Sequence, residues 1–106
     1  MAKYLLEARY TSEGAKGLLK DGGSKRRAAA EAALKSAGAR MEAFYFALGD
    51  NDAIVIVDAP DNATIAAASI AINASGAVAS KTTALMTAEE MDSATKKTVS
   101  YTPPGR

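Results

Sequence analysis

The sequence predicts an α+β domain with the element order βαββαβ, on three observations. Lys3 to Tyr10 alternates as a strand does, with Tyr4, Leu6, Ala8 and Tyr10 on one face and Lys3, Leu5, Glu7 and Arg9 on the other. Met41 to Asp58 holds two β-runs, Glu42–Leu48 and Ala53–Asp58, around the turn Gly49-Asp50-Asn51-Asp52. Helix-forming stretches follow the first and third runs, and each is closed by a glycine.

After the first strand, Thr11-Ser12-Glu13-Gly14 offers hydroxyl caps and a short helical turn, which Gly22-Gly23 breaks. Ser24 is the expected cap of the next helix, Lys25 to Ala37, with Ala30, Ala33, Leu34 and Ala37 on one side and Gly38 at its end. The second strand sets Met41, Ala43, Tyr45 and Ala47 against Glu42, Phe44, Phe46 and Leu48. The third, Ile54-Val55-Ile56-Val57, is apolar on both faces, so both faces of this hairpin are expected to be covered. Gly49 and Asn51 suit positive φ in the connecting turn. Asp61 is the expected N-cap of a helix running to Ser75, with Ile65, Ala68 and Ile72 sharing a face. Strand character resumes over Val78 to Leu85, and Thr87-Ala88-Glu89-Glu90-Met91 opens a last short helix. The expected domain spans residues 1–97, with residues 98–106 a Pro-Gly tail whose Val99 and Tyr101 would pack on a sheet edge or a neighbouring subunit.

This order is the ferredoxin-like arrangement, a four-stranded antiparallel sheet with helices on one face. Tyr4, Tyr10-Thr11, Glu13-Gly14, Phe44-Tyr45, Leu48-Gly49, Asp52, Ala59-Pro60-Asp61 and Gly76-Ala77-Val78, in that order and spacing, resemble the GYD-domain family. Asn51 stands where that family usually places tyrosine. The resemblance implies sheet-against-sheet pairing, as in the dimeric α+β barrel proteins, and a family without an established activity.

Composition closes several routes to chemistry. A chain of 106 residues buries only about 60–70% of its unfolded surface, so association that covers apolar area would help, and a homodimer or higher even oligomer is the expected state. There is no cysteine and no histidine, which removes thiol chemistry, the commonest general base and the commonest transition-metal ligand. No metal and no cofactor is expected. Thirteen basic residues against twelve acidic ones argue against nucleic acid as a partner. No apolar run is long enough for a membrane span or a signal peptide, so cytoplasm is the expected location and no membrane partner is foreseen.

Three groups of residues are candidates for binding. Glu7, Arg9, Glu42 and Lys81 interrupt otherwise apolar strands, and they either pair at an interface or, with Tyr4, Tyr45 and Tyr101, line a cavity. Arg9, Tyr45, Tyr4, Glu42 and Lys81 form the candidate ligand set. Lys25, Arg26 and Arg27, beside Gly22-Gly23 at a helix start, form a candidate anion site without the spacing of a phosphate-binding loop. Asp50 and Asp52 are read as turn residues rather than cation ligands.

The leading expectation is a non-catalytic, homo-oligomeric module that binds a small apolar or amphipathic molecule or serves assembly alone. A small dimeric-barrel enzyme using Asp52, Tyr45 or Arg9 is the first alternative. An anion or nucleotide-binding regulator using Lys25 to Arg27 is the second.

Overall fold

A computed structural model describes all residues, Met1–Arg106. Its elements are β1 (Ala2–Tyr10), α1 (Ser12–Asp21), α2 (Gly23–Ala37), β2 (Arg40–Phe46), β3 (Ala53–Ala59), α3 (Asn62–Ala74), β4 (Val78–Leu85) and α4 (Ala88–Thr95). The strands form one sheet in the order β2-β3-β1-β4, and every neighbouring pair is antiparallel. This is the ferredoxin-like order that the sequence predicts. β1, whose alternation is the most regular, sits inside the sheet and pairs along its length with both β3 and β4.

Helices α2 and α3 cover one face, and the core lies beneath them. It consists of Tyr4 and Leu6 of β1, Val55, Val57 and Ala59 of β3, Leu34 of α2, Ala39, and Ile65 and Ala68 of α3. Leu34 and Val57 are its largest fully buried side chains. Fully burying a side chain of this size contributes about 1.5–3 kcal/mol, so this small set holds the layers together.

Caps explain where the helices begin. Asp61 accepts hydrogen bonds from the Thr64 amide at 2.9 Å and the Thr64 hydroxyl at 2.8 Å, as the sequence predicts for α3. Thr87 and Glu90 form a reciprocal capping box at α4. Thr11 caps α1, which runs ten residues rather than a single turn. Ser24 caps nothing. α2 already begins at Gly23, because Gly22 at φ 82° ends α1 and turns the chain directly into α2.

The β2–β3 hairpin departs from the sequence reading in two ways. Neither Gly49 nor Asn51 takes positive φ, because six residues rather than four separate the strands and the longer loop turns without it. The loop is tied to β1 instead: the Asp52 amide donates to the Ala8 carbonyl, and the Asp52 carboxylate accepts from the Tyr10 amide, both at 2.8 Å. The strand alternation also slips. A bulge between Met41 and Ala43 puts Met41 on the core side with Phe44, whereas strict alternation would put it with Tyr45.

The C-terminal segment leaves the body. α4 buries no residue, and Val99 and Tyr101 are 79% and 72% exposed, so neither packs on a sheet edge of its own chain. The radius of gyration is 17.0 Å, against roughly 13 Å for a compact chain of this length. The longest dimension, 58 Å, reflects this arm.

Candidate functional site

The helix-free face of the sheet gathers most of the charged strand residues that the sequence singles out. Register sets Lys3 opposite Asp58, Leu5 opposite Ile56 and Glu7 opposite Ile54 on one side of β1. On its other side Glu7 faces Lys81 and Arg9 faces Ala79. Asp58 is the centre of one ion-pair cluster. It is 4% exposed, with Lys3 Nζ at 2.9 Å and the Arg40 guanidinium on its other oxygen. Lys3 also reaches Glu42 at 3.0 Å, and the bulge is what turns Glu42 toward it. Hydrogen bonding to Lys3, then to Arg40, holds the Asp58 carboxyl below its ordinary value, and the same carboxylates raise the Lys3 ammonium.

Of the remaining candidates, Arg27, Glu42 and Tyr45 come together, lining an open, polar pocket of about 470 Å³ along β2, and the others lie apart from it. Tyr4 lies on the opposite face, buried in the core, and its hydroxyl donates to Asn62 Oδ1 at 2.6 Å. Tyr45 is 70% exposed opposite Ile54, and Arg9 is exposed at the far end of the face. Glu7 receives the Asn51 side-chain amide at 2.9 Å, so the residue standing in for the usual tyrosine anchors the hairpin tip. At the start of α2, Lys25 and Arg26 share Asp21 at 3.8 and 3.9 Å, which gives these cations a counter-charge within the chain.

An apolar cavity lies on the other side of the sheet. It has a volume of about 370 Å³ and is lined by nineteen residues, fifteen of them hydrophobic. Its floor is the end of the sheet where β1 and β2 finish, with Ala8, Tyr10, Phe44, Ala53 and Val78. Its walls are alanine: Ala29, Ala30 and Ala33 of α2 and Ala67, Ala68 and Ala71 of α3. Ala29, Ala33, Ala67 and Ala71 remain exposed, so it opens to solvent between the two helices. The cause is short side chains. Leu34 and Ile65 fill the gap between helices and sheet at one end, and methyl groups cannot fill it at the other.

Arg26 and Tyr10 stand together at this cavity. Burial pushes the Tyr10 phenol up, against the opposing influence of the neighbouring Arg26 guanidinium. Sequence reasoning finds Arg26 only as part of a surface cluster and passes over Tyr10. The available signal was the pair of alanine-rich helices destined for the same sheet face.

The profile of the GYD domain matches residues 4–95, most of the chain. The chain belongs to the GYD domain family. The GYD match runs from within β1 to the last residue of α4, so the exposed helix is part of the family's domain, and residues 1–3 and 96–106 lie outside the match. No curated protein and no solved structure matches the chain. No helix is long and apolar enough to cross a membrane.

Proposed function

We propose that this GYD domain is a non-catalytic, self-assembling module, working in the cytoplasm, that holds a small apolar or amphipathic molecule between its helices and its sheet. The cavity carries this reading. Its 370 Å³ falls in the ~300–1,000 Å³ range of ligand sites. A space of this size, sealed and unfilled, would cost roughly 9 kcal/mol at ~24 cal/mol per Å³, comparable with the whole stability of a small domain. An opening between the helices avoids that penalty, and an apolar guest gains about 25 cal/mol for each Å² it removes from water. The direct test is titration with the neutral probe N-phenyl-1-naphthylamine: saturable fluorescence enhancement is expected, and its loss is expected in Ala71→Phe, which narrows the opening. A folded protein that does not bind the probe overturns the reading.

Assembly rests on a separate observation. An eight-residue helix is too short to persist in water without packing, and α4 buries no residue against its own chain. A second copy covering the arm and the open face, sheet against sheet in the dimeric-barrel manner, would supply that packing and bury Leu5, Ile54 and Ile56. Light scattering at micromolar concentration should give a dimer or a multiple of dimers.

The catalytic alternative has less behind it. Asp52 is engaged by the Tyr10 amide, and Tyr45 and Arg9 stand exposed with no shared pocket.

A further inference from the structure

The polar groups at the cavity narrow the class of molecule it would take. Four of the nineteen lining residues are not hydrophobic: Arg26, Ser36, Ser75 and Ser80. All three serine hydroxyls are already committed. Ser36 donates to the Ala33 carbonyl and Ser75 to the Ile72 carbonyl, both at 2.7 Å, and Ser80 donates to Asn73 Oδ1 at 2.9 Å. Arg26 is therefore the only charged group at the cavity, and with the Tyr10 phenol it makes up the polar equipment a guest can use.

The guanidinium is also incompletely paired. Its carboxylate neighbour, Asp21, is 3.9 Å away, beyond hydrogen-bond distance, and is shared with Lys25. The Arg26 side chain is 34% exposed, so it is partly withdrawn from water yet open to a ligand. Arginine presents a planar fork of donors that matches a carboxylate in two parallel hydrogen bonds. A cation at the rim of an alanine-walled slot favours a guest with one anionic end and an apolar remainder.

We infer that the cavity takes an amphiphilic monoanion, with its apolar body between α2 and α3 and its carboxylate on Arg26 and the Tyr10 hydroxyl. This rests on the reading of the cavity as a ligand site. Asp21 opposes the anion, and Lys25, 75% exposed at the same helix start, offsets part of that opposition. Neutral guests of the same length fill the slot without using the guanidinium. Cationic ones meet it unfavourably.

The test is displacement of bound N-phenyl-1-naphthylamine by decanoate, decanol and decylamine, each below the concentration at which it self-associates. Decanoate should displace the probe at about tenfold lower concentration than decanol, the margin of one charge-assisted contact, and decylamine should be the weakest. Arg26→Gln should bring decanoate to the level of decanol, each displacement being read against the variant's own probe affinity. If that variant does not fold, Arg26→Met, which keeps the apolar stem, provides the same comparison. Decanoate no better than decanol on the unaltered protein, or a preference that survives loss of the guanidinium, overturns the assignment of the head group and leaves the cavity reading standing. Failure of the probe itself to bind removes both.

Discussion

The two ends of the layer between helices and sheet are built from the same elements and differ in how they are filled. At the end holding the start of β1 and the finish of β3, Leu34, Val57, Tyr4 and Ile65 interdigitate and are nearly inaccessible. At the other end the helices present alanine, and the cavity opens. Side chains hold the first end closed. Backbone and caps hold the second: the Thr11 amide donates to the Ala77 carbonyl at 3.0 Å, and the Thr11 hydroxyl donates to the Gly76 carbonyl at 2.8 Å. Stability and ligand capacity are thus assigned to different halves of one interface, and a substitution in the filled half should lower stability without abolishing binding.

Leu34→Ala should have the largest effect, because it empties the filled end. A loss of about 2–5 kcal/mol in chemical denaturation is expected, with any surviving folded fraction still binding the apolar probe. A loss below 1 kcal/mol would mean that the filled end is not where stability resides.

Gly14→Ala should come next. A Cβ at Gly14 would stand 2.0 Å from the Ala77 carbonyl oxygen, and backbone cannot yield as a side chain can. A loss of about 1–3 kcal/mol is expected, the usual range for overpacking, together with weaker probe binding because α1 anchors the cavity end. Unchanged binding would separate the anchor from the cavity.

The Asp58 cluster on the open face gives a pH test that should leave the cavity untouched. The folded-state pKa of Asp58 lies below the ordinary 3.8, so its contribution is present above that value and is lost as pH falls through the lower, folded value. For Lys3 the folded value lies above 10.5, so its contribution is complete below 10.5 and is lost as pH rises beyond it. Melting temperature should fall at both extremes and be flat between them on account of these groups. In Asp58→Asn the acid limb should shrink, and an unchanged acid limb would contradict the pairing.

Truncation after Lys97 should have the smallest effect on the fold. Val99 and Tyr101 contribute nothing to the body, so the melting temperature of dilute protein should move by less than a degree or two, while native mass should shift toward the monomer. An unchanged oligomeric mass would remove the tail from the assembly.

Much of the fold was legible in the sequence because it depends on local periodicity and local chemistry. The alternation of Lys3 to Tyr10, the capping residues Asp61 and Thr87 and the breaks at Gly22, Gly38 and Gly76 act within a few residues of themselves, and together they gave element order and fold class. What failed depended on partners distant in sequence. Tyr4 and Arg9 were grouped as one site although their spacing puts them on opposite faces, and only the helices decide which of those faces is covered. The bulge at Glu42 breaks a pattern that looked regular, and it turns Glu42 toward Lys3, which the β1–β3 pairing has already set against Asp58. The cavity could not be read at all from one helix. Alanine is the best helix former, and its spacing on α2 or α3 says only that a helix forms. A volume belongs to the gap between surfaces, and it existed only once both alanine faces were set over the same end of the sheet.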